Sequence, residues 1–282
     1  MNNMEKVKDL MTKDPVVAEL PGNRRNVMKL MVKNELTGVP IVKDGILKGF
    51  LSRHDIFKNP EEDQLAMIYR KNHPSVEAED SLYKASELFV QEKTHYLPVT
   101  EDSGECIGIL TTADMLEYVI ELKIDIPVAE TARSPCVPIY EGTPINIALQ
   151  TMKLTGIYAF PIVDENTTLS GIITDRDLFN LTEITGELMV SELGLEQDEN
   201  SWSWQGLKNI MKLYYEESKF ELPNIPVKEA MIEDPTSIFS GTEAFEAAEI
   251  MLRNDYGQLP VVDETDTLET MVYELDLLAA II

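Results

Sequence analysis

The sequence predicts an α+β chain of four β-α-β-β-α units that pair with one another, and three observations predict it. First, a proline-to-proline interval recurs at Pro15 to Pro40, Pro74 to Pro98, Pro135 to Pro161 and Pro235 to Pro260, with spacings of 25, 24, 26 and 25 residues. Second, Gly49, Gly108, Gly171 and Thr270 stand 9, 10, 10 and 10 residues beyond the second proline, and an aspartate follows six later each time, at Asp55, Asp114, Asp177 and Asp276. Third, the apolar spacing changes within every copy from helical to strand-like. Units this small are marginal alone, so they are expected to pair face to face and share a buried sheet surface.

In unit one (residues 1–60), Val16 and Val17 supply a short strand, and Val27, Leu30, Met31 and Leu36 recur at helical spacing. Pro40-Ile41-Val42 and Gly49-Phe50-Leu51 form a hairpin across Lys43-Asp44-Gly45, and a helix starts near Asp55. Unit two (61–122) repeats this with Tyr83, Leu88 and Phe89 on its helix, and Pro98-Val99 and Gly108-Ile109-Leu110 as its hairpin strands. Unit three (123–181) has strand residues Ile139 and Tyr140, helix residues Ile147, Leu149, Met152 and Leu154, and a hairpin of Pro161-Ile162-Val163 with Gly171-Ile172-Ile173. Unit four (227–282) uses Phe245, Ala248, Met251 and Leu252, then Pro260-Val261-Val262 and Thr270-Met271-Val272. Residues 182–226 stand outside the repeat, as a helical insert or linker carrying Trp202 and Trp204. These tryptophans are expected as docked aromatics, with an exposed anchor for a partner protein as the alternative.

Charge narrows the function classes. The 24 Lys and Arg against 50 Asp and Glu leave a net charge of −26 in 282 residues. That field repels nucleic-acid phosphates and anionic headgroups, so neither nucleic acid nor membrane is expected as a partner. Cys106 and Cys136 have no CxxC spacing, which supports no disulfide framework and no thiolate zinc site. No apolar run approaches the roughly 18 residues of a membrane helix, and Met1 to Met11 lack a signal-peptide core. The expectation is a cytoplasmic protein. His54, His73 and His95 each stand alone in their repeats, and no GxxxxGK, GxSxG or HExxH pattern occurs, so catalytic and metal-ligating residues are not expected.

The repeated chemistry is a hydroxyl residue three before the aspartate: Ser52-Arg53-His54-Asp55, Thr111-Thr112-Ala113-Asp114 and Thr174-Asp175-Arg176-Asp177. Two readings share this geometry. Ser or Thr at an N-cap with an acidic residue one turn on satisfies free helix amides. The same helix start can face a phosphate while the aspartate accepts two hydrogen bonds from a ribose diol. Unit four carries Tyr273 at the hydroxyl position, so its site is expected to be empty or altered.

The whole repeat resembles the CBS domain, the regulatory module of cystathionine-β-synthase, over nearly all of the chain except residues 182–226. The resemblance implies that the four units form two pseudo-twofold pairs, with adenosine-ligand clefts between the paired units. Asp55, Asp114 and Asp177 would hold ribose, and Ser52, Thr111 and Thr174 would sit near phosphate. Val39-Pro40, Leu97-Pro98 and Phe160-Pro161 would border the base. Arg53 with His54, and Arg176, would offset the negative field at units one and three. Unit two, with Thr112-Ala113, suits a nucleoside or a cationic ligand such as S-adenosylmethionine. The expected function is a regulatory module without a resident cofactor, sensing an adenine nucleotide or S-adenosylmethionine and signalling to an effector protein not named by the sequence. A scaffold with non-functional clefts is the alternative, and the pairs are expected to stack within one chain or across a homodimer.

Overall fold

The computed structural model describes residues 5–59, 62–181 and 222–282; Trp202 and Trp204 lie outside them. Each unit folds around a proline-bearing central strand. In unit one, Gly38–Lys43 runs parallel to the short strand Ala18–Glu19 and antiparallel to Ile46–Ser52. Units two to four repeat this with Tyr96–Thr100, Ala159–Val163 and Gln258–Val262 at the centre. The first strand is therefore Ala18–Glu19 and not Val16–Val17, because the chain runs alongside Ile41 and Val42 only from Ala18 onward.

The intervening helices are Arg24–Lys33, Leu82–Glu92, Ile145–Thr155 and Ala244–Asn254. Asn23 and Ser81 cap the first two, accepting from the amides of Asn26 at 2.8 Å and Lys84 at 3.1 Å. Their buried faces differ from the sequence expectation. Tyr83, Ile147, Leu154 and Leu252 are exposed, whereas Ala85, Ala148, Ala244, Ala247 and Ala248 are fully buried. The cause is close helix packing between units: Ala244–Asn254 lies against Thr112–Leu122, and small side chains let the two backbones approach.

The segment leading into each unit belongs to its neighbour's fold. Val7 N donates to Asp80 O at 2.9 Å and Leu65 N to Gly22 O at 3.1 Å, which ties units one and two. Val128 N donates to Thr242 O and Val227 N to Thr143 O, both at 2.8 Å, which ties three and four. In units two and three the exchange adds a fourth strand: Thr12–Lys13 pairs with Cys106–Thr111, and Ile232–Glu233 with Leu169–Thr174. The repeated glycine makes room for it. A Cβ on Gly108 would lie 3.1 Å from Thr12 O, and one on Gly171 2.8 Å from Ile232 O. Among the described residues the sheet of unit four has three strands and no lead-in strand pairs with Leu268–Tyr273, so Thr270 is accommodated there.

The main cores do not lie between the sheets of a pair, as the sequence suggested. One runs through units one and three, joining Met31, Ile41 and Ile56 to Met152, Phe160 and Leu178; the other runs through two and four, joining Phe89, Leu97 and Leu116 to Met251, Leu259 and Leu278. The two pairs thus stack within the chain, one against three and two against four. The sheet-to-sheet contact of a pair is smaller. It comprises Ala159, Ile172 and Met271 in one pair, and Phe50 stacked on Tyr96 and His73, each at 4.8 Å between ring centroids, in the other.

Candidate functional site: four inter-unit clefts

The hydroxyl–aspartate motif is a helix cap in every one of units one to three. Ser52 and Thr111 are the N-caps of Arg53–Lys58 and Thr112–Leu122, and Thr174 precedes the helix over 175–181. In each box a single carboxylate oxygen does the capping. Asp114 Oδ2 accepts from the Thr111 amide and hydroxyl, both at 2.8 Å. Asp177 Oδ2 accepts from the Thr174 amide at 2.8 Å and hydroxyl at 2.7 Å. Asp55 Oδ2 accepts from the Ser52 amide at 2.9 Å and hydroxyl at 2.6 Å. The hydroxyls are thereby committed to orienting the carboxylate, and the second oxygen is left for something else.

What meets that carboxylate differs between clefts, because the wall comes from the partner unit's lead-in. At Asp114 the wall is Met11 to Pro15, and at Asp177 it is Met231 to Pro235, the same Met-x-x-Asp-Pro pattern in both. In each wall the aspartate takes left-handed backbone, φ 51° at Asp14 and 47° at Asp234, a conformation that Asp tolerates better than most residues. Neither wall donates a hydrogen bond to the cleft carboxylate among the described residues. At Asp55, by contrast, Arg70 reaches in, its Nε 3.2 Å from Oδ2. Its backbone is fixed by reciprocal bonds with Phe50, of 2.8 and 3.1 Å. At Asp276 the wall is Arg133–Ser134, whose amides and hydroxyl all bond the carboxylate.

Burial is the leading cause of the shifts in this region. It raises the pKa of Asp114 in spite of the Thr111 hydrogen bonds, and Glu117 and Glu274 push it the same way. It lowers His54 and His73, each to about 4, so both imidazoles are neutral at pH 7. These histidines are not scattered. His73 stacks on Phe50, while His54 and His95 meet the edge of Tyr158 at 5.1 and 5.9 Å, so all three lie where units one, two and three converge.

Several sequence-expected residues lie away from the clefts. Val39, Leu97 and Phe160 are fully buried on the core side of their strands. Strand alternation turns Pro40, Pro98 and Pro161 to the opposite face, toward the partner sheet. Arg53, 2% exposed, points into the junction between pairs, where its Nη1 lies 3.3 Å from Asp175 Oδ1 and its guanidinium sits over Phe179 at 5.8 Å. Arg176 stays at the surface, 3.2 Å from Asp255.

Sequence reasoning missed Arg70, Ser134, Asp175 and Glu274. The signal for the last two was the residue after the hydroxyl: Arg53 meets Asp175, and the Thr112 hydroxyl donates to Glu274, so this position names which units face each other across the pairs.

Comparison with known proteins bears on the whole chain. The sequence model described as CBS domain matches residues 7–62, 65–121, 128–183 and 227–282. A Methanocaldococcus jannaschii protein described as a candidate archaeal homolog of g-AMPK superposes with a TM-score of 0.77 at 19% identity, covering 97% of this chain and 99% of that one. In sequence it is 25% identical over 215 residues, 75% of this chain and 67% of that protein. Homoserine O-acetyltransferase of Methanocorpusculum labreanum is 33% identical over 109 residues, 38% of this chain, and the chain spans only 22% of that enzyme. CBSX2 of Arabidopsis thaliana is 27% identical over 122 residues, 43% of this chain and 48% of that protein. Its structure in complex with AMP aligns with a TM-score of 0.39 at 19% identity, over 55% of this chain and 94% of that one. Among the described residues no helix is long and apolar enough to cross a membrane.

Proposed function

The chain belongs to the CBS-domain family, and on that premise we propose that it is a non-catalytic sensor that takes adenosine-containing small molecules in the clefts of units two and three and signals to a partner protein. The observation that carries this reading is the division of labour within one carboxylate. Asp114 and Asp177 each spend Oδ2 on the helix cap and keep Oδ1 without a hydrogen-bond partner among the described residues. Capping and ribose binding then use different oxygens and are compatible. A vicinal diol supplies two donors to a carboxylate whose orientation is already fixed, so little ordering entropy is lost on binding.

The surroundings favour different ligands. Glu117 and Glu274 act on Asp114, which suits a neutral nucleoside or the sulfonium of S-adenosylmethionine. Arg176 beside cleft three is held by an exposed ion pair with Asp255, of the kind worth about 0.2–1 kcal/mol, and a phosphate can draw it away. Cleft three therefore suits an adenine nucleotide. Signalling follows from position: Thr112 and Asp175, each next to a cleft hydroxyl residue, make the bonds that join the two pairs. A ligand that prefers one packing of the pairs shifts its population, and a partner that reads the packing responds.

A thermal-shift panel of AMP, ADP, ATP, S-adenosylmethionine and methylthioadenosine tests this. A ligand at a concentration 100 times its Kd adds about 2.7 kcal/mol, a rise of several degrees. The rise is expected with at least one of these ligands and should disappear in Asp177→Asn or Asp114→Asn. A panel without any shift contradicts the proposal.

A further inference from the structure

Asp276 differs from its counterparts in what its carboxylate touches. Oδ2 accepts from the Tyr273 amide at 3.0 Å, as in the other units. Oδ1 accepts from the Arg133 amide at 3.2 Å, the Ser134 amide at 2.9 Å and the Ser134 hydroxyl at 2.8 Å, all from the lead-in of unit three. Both oxygens are thus occupied, and the residue is only 4% exposed. The space that remains beside it, between Thr131, Arg133 and Ala279, is about 120 Å³. Small-molecule sites usually need roughly 300 Å³ or more. Tyr273, standing where the other units have Ser or Thr, sends its hydroxyl across to Ala159 O of unit three at 3.1 Å.

We propose that cleft four is a built-in clasp in place of a ligand site: the Arg133–Ser134 segment gives Asp276 the donors that a ribose diol would give, and holds units three and four together with no ligand bound. The likeness to ribose rests on the reading of Asp114 and Asp177 above, but the clasp itself does not. Because cleft three lies between the same two units, it is presented already closed, and the ordering of the pair is not charged against ligand affinity. The sequence change that accompanies this is local. Ser134 replaces the left-handed aspartate found at Asp14 and Asp234, and Tyr273 replaces the capping hydroxyl.

A double-mutant cycle on Ser134→Ala and Asp276→Asn, read as melting temperature without ligand, tests the clasp directly. Equilibrium dialysis with AMP then counts bound molecules per chain. Each single variant is expected to melt several degrees lower, and the double variant little lower than the worse single. The number of AMP molecules bound by Asp276→Asn is expected to equal that of the unaltered chain. Strictly additive losses, or one AMP fewer in Asp276→Asn, would overturn the clasp. If the unaltered chain binds no AMP and the panel above is also silent, the adenosine reading fails, and the melting cycle alone still decides the clasp.

Discussion

The clefts of units two and three and those of units one and four grow from one motif and come to different ends. In the first two, the partner's lead-in lies down as an extra strand, leaving one oxygen of Asp114 and of Asp177 open. In the other two, the lead-in puts a donor on the carboxylate: Arg70 on the capping Oδ2 of Asp55, whose Oδ1 has no hydrogen-bond partner among the described residues, and Ser134 on Oδ1 of Asp276. The aspartate and its helix cap are common to all four. On the proposed reading, the short wall contributed by the other unit sets the carboxylates offered to a ligand apart from the clasped one.

Four perturbations break or sharpen that contrast. The largest effect is expected from Arg53→Ala, which severs the link between the helix start of cleft one and that of cleft three. Asp175 would keep a largely buried charge without its partner, at a cost of about 3 kcal/mol in urea unfolding. Next, Gly171→Val should cost about 2 kcal/mol by driving its side chain into Ile232 O and Met231, whereas the matched Thr270→Val in unit four should stay within about 0.5 kcal/mol. Equal losses at both positions would remove the strand-exchange explanation. Third, Asp177→Asn and Asp55→Asn should each cost about 1 kcal/mol of stability through the cap, yet only the first should weaken ligand binding tenfold or more.

The fourth perturbation is pH, read through the two histidines of the first pair. His54 and His73 are depressed to about 4, with burial the leading cause, against about 6.5 in an unfolded chain. Their neutral forms favour folding fully above about pH 6.5, and that contribution is lost as pH falls toward 4. The melting temperature should therefore be lower at pH 5 than at pH 7, and His54→Gln with His73→Gln should flatten the difference. Burial raises Asp114 and Asp276, which act in the opposite sense, so the slope is best read above the carboxylate range.

The sequence made the repeat legible because its spacings are backbone requirements. The proline stands third in each central strand, the glycine admits a neighbouring chain segment, and the aspartate caps the next helix. Local periodicity carries no information about which face a unit shares. This is why Tyr83, Ile147, Leu154 and Leu252, which share the helical spacing, are exposed while alanines fill the buried faces, and why the cores were expected between the paired sheets. Arg53 looked like a phosphate ligand for the same reason: its neighbour in sequence is a cleft residue, but its partner, Asp175, is 122 positions away. The difference between open and occupied clefts was written in the lead-ins, as Met-x-x-Asp-Pro before units one and four and its absence before two and three. It acquires meaning only once those segments are seen to cross to the partner.

The most direct test of the central claim is calorimetric titration of AMP and S-adenosylmethionine into the unaltered chain and into an Asp114→Asn, Asp177→Asn double variant. The account predicts saturable binding in the first and its loss in the second, with the double variant still folded and destabilised by no more than its two caps, about 2 kcal/mol. Binding by the double variant that matches the unaltered chain in affinity and stoichiometry would contradict it.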